Sequence, residues 1–241
     1  MDRELAVIAL GFGAKAIGFT EAWDLQRDLH ARRVRGEIPD TCLLLEHLPV
    51  YTAGRRTNQA DRPVGDPGAP VIDVDRGGKI TWHGPGQLVG YPIVALDEPV
   101  DVIGYVRAIE EALILTCADF GVATGRVAGR TGVWVRGAGR GEDGAAGGQD
   151  RKVAAIGIRV ARGVTMHGFA LNCDNDLAWF DRIVPCGITD ASVTSLTAER
   201  GIRTPVESVL HPVSGHLADV LGANRLRLLA HVDDAAASPV G

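Results

Sequence analysis

Hydrophobic and polar positions along the chain define a series of short apolar runs separated by polar, glycine-rich stretches, with helical periodicity in three places. Residues 5–10 are apolar throughout and predict a buried strand. Thr20 is placed as an N-cap for a helix to about Val34, with Trp23, Leu25, Leu29 and Val34 fitting one face only loosely. Residues 41–46 predict a second buried strand, residues 55–70 a loop rich in Asn, Asp, Gly and Pro, and residues 71–74 a further short strand. A glycine-rich stretch, 76–90, follows. From Asp101, Val102, Val106, Ile109, Leu113 and Phe120 recur at helical spacing, and Gly121 supplies a C-terminal stop. Residues 131–135 and 153–160 predict neighbouring strands joined by a hairpin loop, 137–150, too glycine-rich to order itself. Residues 166–172 predict another strand.

The last third reads as helical. Thr204-Pro205-Val206-Glu207 has the capping-box pattern, with proline at the first helical position. Val206, Val209, Leu210, Val213, Leu217, Val220 and Leu221 then share one face, with Pro212 expected to kink the helix. No repeat or linker interrupts the chain. The pattern therefore predicts an α/β (α+β) fold: one domain over residues 1–232, with a smaller helical C-terminal portion and a frayed tail over 233–241.

Composition adds limits. The chain has 241 residues, 46% hydrophobic and 23% charged, which suits a globular domain. Its formal charge of −5 gives no support to a nucleic-acid partner. The start, MDRELAVIAL, lacks a signal-peptide pattern, and no apolar run approaches the roughly 20 residues of a membrane span. Cys42, Cys117, Cys173 and Cys186 are widely spaced, as reduced thiols rather than a disulfide framework or zinc site. A cytoplasmic location is expected. Gly11-Phe12-Gly13-Ala14-Lys15-Ala16 matches a dinucleotide-binding fingerprint, but no helix signal opens on it and no acidic residue stands at the required interval, so a turn is expected.

Four stretches carry candidate chemistry. Arg76, Gly77, Gly78, Lys79, Ile80, Thr81, Trp82 and His83, continuing through Gly84-Pro85-Gly86-Gln87, combine paired glycines with an apolar wall and polar contacts. By composition alone the same stretch reads rather as a glycine-rich hairpin with a satisfied histidine. Pro185 and Gly187 place Cys186 at a sharp turn where its thiol can be exposed, whereas Cys42 and Cys117 sit in apolar elements and Cys173 is ambiguous. Lys152 heads an apolar strand beside Ala155, Ile156 and Gly157, a position many solvated lysines share. His167-Gly168-Phe169-Ala170-Leu171-Asn172 surrounds an aromatic with small residues, which leaves room for an acyl chain or describes a core strand with a polar end.

Together these stretches resemble the lipoyl(octanoyl) transferase family. The pattern runs R-G-G-x-x-T-x-H-G-P-G-Q at 76–87, K-x-x-x-x-G at 152–157, H-G-x-A-L-N at 167–172 and P-C-G at 185–187, with Cys186 standing 34 positions after Lys152. The resemblance covers about residues 5–221. It implies the fold of biotin and lipoate ligase catalytic domains, a mixed sheet flanked by helices. It implies transfer of an octanoyl or lipoyl group from acyl carrier protein to a lysine of lipoyl domains, those of 2-oxoacid dehydrogenase complexes and the glycine cleavage H protein, in lipoate biosynthesis. Cys186 would carry the acyl group as a thioester and Lys152 would shuttle protons. Arg76–His83, with Ala155, Ile156, Gly157, Gly168, Phe169 and Ala170, would line the acyl pocket, and backbone N–H groups of Gly77-Gly78 or near Gly187 would hold the oxyanion.

A cysteine suits this chemistry. Thioester exchange is nearly balanced, formation of the amide runs downhill, and no nucleotide or other cofactor is required. A free thiol titrates near 8.5, and a neighbouring ammonium raises its thiolate fraction. The acidic donor protein calls for a local basic patch, with Arg32, Arg33, Arg35, Arg55, Arg56 and Arg62 as candidates. Three other readings compete: an ATP-dependent lipoate or biotin ligase, which needs no nucleophilic cysteine; a noncatalytic acyl-carrier or lipoyl-domain binding module; and a thioesterase, in which water rather than a lysine resolves the acyl-enzyme.

Overall fold

Strands buried on both faces read as unbroken apolar runs, and those runs form the centre of one large sheet here. A computed structural model of the chain describes residues 3–137, 148–183 and 191–235. β1 (Glu4–Leu10) and β2 (Asp40–Leu45) flank helix α1 (Phe19–Val34) in sequence and pair parallel in space. β3 (Val50–Ala53), β4 (Val71–Asp73) and β5 (Thr81–His83) make a small sheet in the order β4-β3-β5. β6 (Gln87–Ile93) returns to the main sheet antiparallel to β2, and α2 (Val102–Asp119) follows. β7 (Gly125–Val127), β8 (Arg130–Val135), β9 (Asp150–Ala161) and β10 (Val164–Asn172) pair antiparallel in succession, and β10 also pairs with β6. β11 (Ala191–Val193) lies parallel to the start of β9; α3 (Leu196–Arg200), α4 (Val206–Val220) and β12 (Arg225–Leu229) complete the chain. The main sheet runs β12-β1-β2-β6-β10-β9-β8-β7.

Side chains alternate between the two sheet faces. Leu5, Val7, Cys42 and Leu44 pack against Ile109, Leu113, Val209, Val213 and Leu217 of α2 and α4. Ile8, Leu43, Leu45 and Val89 pack against Ala22 and Leu29 of α1. The small sheet has its own cluster, in which Tyr51, Ile80 and Trp82 meet Phe180 and Ile183.

The mixed sheet flanked by helices agrees with the expectation, and several details depart from it. α1 begins at Phe19 with Gly18 as a cap that makes no side-chain bond, so Thr20 lies inside the helix. Its inward face includes Gln26 and His30, which hydrogen-bond the His167 N–H at 2.9 Å and the Ala161 carbonyl at 3.0 Å. These two polar residues, each bonded to strand backbone through one side-chain atom, are why its apolar periodicity looked loose. The expected capping box on α4 is absent: Pro205 caps it, and Thr204 instead accepts from Arg200 and donates to Ile202 O. α4 runs through Pro212.

The C-terminal third is not purely helical. β12 rejoins the main sheet parallel to β1, with basic residues alternating with leucine on a partly exposed edge, where the apolar signal is weak. β3 and β6 were also missed, β6 because its Gly90 and Pro92 sit where the sequence reads as loop. A Cβ at Gly90 would stand 2.1 Å from the Phe169 ring, so that glycine serves packing rather than a turn. The expected tail overlaps a short 3-10 turn over Val232–Ala235, whose Ala235 is buried, and residues 236–241 lie outside the described residues. So do residues 138–147 of the expected hairpin loop; its flanks, β8 and β9, pair antiparallel. Among the described residues no helix is long and apolar enough to cross a membrane.

Candidate active site

A cavity of about 330 Å³ lies between the β9–β10 pair and the segment that leads through residues 76–80 into β5. Its size falls in the small-ligand range of about 300–1,000 Å³.

Lys152 reaches its wall through an irregular ladder. Trp134 stands opposite Lys152 and Val133 opposite Ala154, so β9 carries one residue more than β8 at Val153. In an unbroken strand Lys152 would share a face with Ala154. Ala154 and Val153 instead belong to the core under α2 and α4, while Lys152, Ala155 and Gly157 line the cavity. The Lys152 ammonium lies 4.5 Å from the centre of the Trp134 ring, a favourable cation–π distance. The stem passes over Gly132, where an added Cβ would sit 3.3 Å from Lys152 Cε and 2.6 Å from Ala154 O. Gly132 has φ 120°, a conformation side chains rarely adopt.

The opposite wall is held by Arg76. Its buried guanidinium donates to Gly77 O and Lys79 O at 2.9 Å each, and to Thr52 O and Oγ1 at 2.7 and 2.8 Å. Gly77 N–H donates to Ile158 O at 2.9 Å, which lays the loop on β9. A Cβ at Gly157 would come within 3.0 Å of Gly77 O and 3.1 Å of Arg76 Cδ, a tight fit that favours glycine on the strand. Lys79 turns its ammonium to Asp61 at 2.9 Å.

Of the residues expected in the acyl pocket, Arg76, Gly78, Lys79, Ile80, Thr81, His83, Ala155, Ile156, Gly157, Gly168, Phe169 and Ala170 line this cavity together with Lys152. Trp82 does not. It alternates to the other face of β5, stacks on Trp179 at 5.6 Å and belongs to the small-sheet core. Gly77 is not in the lining either, and because its N–H is spent on Ile158 it is unsuited to an oxyanion. Cys186, with Pro185 and Gly187, lies outside the described residues. Sequence reasoning missed Phe19, Tyr91, Gly129, Arg130 and Thr131 as lining, and Trp134 and Gly132 as supports of Lys152. The only signal for the last two was a Gly and a Trp two residues apart in a strand.

The family model described as the lipoyl protein ligase A/B catalytic domain matches residues 19–218. The chain belongs to this family. Curated relatives named octanoyltransferase include one from Thermobifida fusca, 61% identical over 90% of this chain and 90% of its own length. Another, from Streptomyces griseus, is 54% identical over 98% and 97%; a third, from Mycolicibacterium gilvum, is 62% identical over 85% and 82%. Among solved structures, a bi-partite lipoate protein ligase from Thermoplasma acidophilum superposes with TM-score 0.68 at 15% identity, covering 96% of this chain and 87% of its own. A lipoate-protein ligase A bound with ATP gives 0.68 at 13% identity, over 96% and 89%. These likenesses bear out the family resemblance and the expected fold.

Within this family member the three described cysteines are unsuited to nucleophilic work. Cys42, Cys117 and Cys173 are buried, and burial pushes each thiol up, Cys117 to about 12. Cys173, ambiguous in the sequence, sits among core residues, with its Sγ 3.5 Å from Leu171 O.

The histidines near the cavity are kept neutral. Burial pulls His83 well below its ordinary value and lowers His167, whose Nε2 meets Asp75 at 2.7 Å. His47 is lowered to about 4, also by burial; its Nδ1 faces Ile17 O at 3.0 Å and its Nε2 faces the Tyr91 hydroxyl at 2.7 Å.

Two outcomes follow from this geometry. Gly132→Ala should cost about 1–3 kcal/mol of unfolding free energy and depress transfer activity, since the strained backbone lies under Lys152; denaturant unfolding and steady-state rates check both. For His47, a folded value of about 4 against an unfolded one of 6.5 means that between those pH values the unfolded chain binds more protons. Stability present above about pH 6.5 is therefore lost as pH falls toward 4, by up to roughly 3 kcal/mol for this residue. His47→Gln should flatten that slope in chemical denaturation series, and an unchanged slope would contradict the assignment.

Proposed function

We propose that this chain is an octanoyltransferase that moves an octanoyl group from acyl carrier protein to the acceptor lysine of lipoyl domains through a thioester on Cys186. The observation that carries the reading is Lys152, turned out of the core by a strand irregularity onto the wall of a cavity floored by Ala155, Gly157, Gly168 and Ala170. The floor of small residues suits a thin, flexible alkyl chain. Relatives named octanoyltransferase, 54–62% identical, support the transferred group. The burial of Cys42, Cys117 and Cys173 leaves Cys186 as the thiol for the covalent step.

The Cys186 thiolate attacks the donor thioester carbonyl; the tetrahedral adduct collapses, expelling the phosphopantetheine sulfur, which takes a proton from the Lys152 ammonium. The acceptor amine then attacks the Cys186 thioester, Lys152 takes up the proton that the amine loses, and the Cys186 thiolate leaves. One thioester is exchanged for another and then for an amide, so no nucleotide is consumed. Acceptors of this chemistry are the lipoyl domains of 2-oxoacid dehydrogenase complexes and the glycine cleavage H protein, and the reaction belongs to the cytoplasm.

Intact mass spectrometry after mixing with octanoyl-acyl carrier protein tests the covalent step. An octanoyl adduct should form, vanish in Cys186→Ser and form roughly 10²–10⁴-fold more slowly in Lys152→Ala. An adduct on Cys173, or transfer only when ATP is supplied, would overturn the reading in favour of another thiol or a ligase.

Packing narrows the candidate basic patch. Arg32, Arg33, Arg35 and Arg62 are each engaged with a carboxylate, on Asp28, Asp40, Glu37 and Asp73. Arg55 and Arg56 are exposed, and Arg56 borders the cavity. Arg56→Glu should raise KM for the acyl carrier protein and flatten its salt dependence, whereas Arg35→Glu should leave both unchanged.

A further inference from the structure

Lys152 sits where the main sheet gives it little regular support. On the β8 side the ladder is broken by the extra residue at Val153. On the other side β10 stops pairing with β9 at Leu171 and Ala154, and only the three residues of β11 take its place. A line of buried side-chain hydrogen bonds runs to this weak point from across the cavity. Thr194 N–H donates to Lys152 O at 2.9 Å, and Thr194 O accepts from Asn172 Nδ2 at 2.9 Å. Asn172 Oδ1 accepts from Gln87 Nε2 at 2.9 Å, which turns Gln87 Oε1 toward His83 Nδ1 at 2.8 Å. His83 Nδ1 is therefore the donor, and its Nε2 is left to accept from the Thr52 hydroxyl at 3.2 Å. Thr52 Oγ1 in turn accepts from Arg76 at 2.8 Å.

Every link has one direction. Reversing the Gln87 amide would set its N–H₂ against the donating nitrogen of His83 and its oxygen against Asn172 Oδ1. Thr52, His83, Gln87, Asn172 and Thr194 are all buried, so a broken link leaves a polar group without water. Thr52, Gln87, Asn172 and Thr194 do not line the 330 Å³ cavity. Gln87 and Asn172 do bound, with Lys152, a second small space of about 20 Å³.

We infer that Gln87 and Asn172 are positioning residues for the reaction: with Thr194 they hold β9 and β11 in the register that presents Lys152 to the cavity. Thr52 fixes the direction of the chain from its far end. The polar residues of four separate sequence stretches thereby act as one unit, in which His83 serves by its orientation. This rests on the reading of Lys152 as the proton carrier.

The test compares Gln87→Met, Thr52→Val, Thr52→Ser and Lys152→Ala in transfer from octanoyl-acyl carrier protein, with melting temperatures measured alongside. Gln87→Met and Thr52→Val should lower kcat by about 10- to 100-fold, the scale of a misplaced catalytic group, with KM for the donor within about twofold. Thr52→Ser keeps the hydroxyl and should recover kcat. In the Lys152→Ala background Gln87→Met should cost nothing further, because its effect runs through Lys152. If Lys152→Ala is impaired while folded Gln87→Met and Thr52→Val turn over normally, the positioning role is overturned and the role of Lys152 stands. A loss in Thr52→Val that Thr52→Ser does not recover, or a Gln87→Met loss that multiplies with Lys152→Ala, also overturns it. If Lys152→Ala transfers at the full rate, the proton-carrier reading itself falls. Should Gln87→Met fail to fold, the Thr52 pair decides alone.

Discussion

One extra residue in β9 decides which way Lys152 points. A strand alternates its side chains strictly, so a residue two positions from core Ala154 belongs in the core. Burying an ammonium there without a partner would cost several kcal/mol. The irregularity at Val153 removes that conflict by letting Val153 and Ala154 both face α2 and α4 while Lys152 turns to the cavity. The change has local requirements. Trp134 supplies a ring for the ammonium, and Gly132 supplies a backbone over which the stem can pass. The cavity wall, the core under α2 and the β8 ladder are thus coupled at three consecutive positions of β9.

The opposite wall depends on close backbone approach. Arg76 has four oxygen acceptors within 2.9 Å, which keeps a buried guanidinium satisfied and makes it the hub of the loop rather than a ligand waiting for an anion. Glycines at 54 and 157 let that loop pack closely on its neighbours: a Cβ at Gly54 would meet Gly78 O at 2.5 Å. Glu46 plays a related part nearby. Its carboxylate accepts from Gly13 N–H at 2.5 Å and Gly86 N–H at 2.6 Å, so the glycine turn that mimics a dinucleotide fingerprint is already occupied by a side chain of the same protein.

Elements whose physics is local were legible in the sequence. β2 and α2 declared themselves because residues 42–45 are an unbroken apolar run in the one, and every third or fourth position is apolar in the other. β12 and β6 did not, because one is an edge with alternating arginines and the other carries Gly90 and Pro92 for packing against Phe169 and for a place next to β2. For the site, the motif residues that proved to share the cavity were found by their ordered intervals, not by composition. Trp82 was misplaced for a simple reason: in a three-residue strand, the residues either side of it face the cavity and it cannot. The supports of Lys152 were invisible because a bulge is a property of two strands in register, and one sequence segment does not contain it.

The fold itself does not choose between ligase and transferase. Lipoate ligases superpose on nearly the whole chain at 13–15% identity, so the likeness fixes the sheet and not the chemistry done on it. The choice lies in side chains that the sheet merely holds. A ligase activates its acyl group with a nucleotide before any protein nucleophile is needed. A transferase that starts from a thioester needs a thiol able to ionise and an amine able to give and recover one proton in place. The core thiols are excluded from that work by burial, and the amine is brought to the cavity only by breaking the regularity of β9. A distortion at this point, with a buried polar chain reaching back to Arg76, sets one ammonium at a fixed place on the cavity wall.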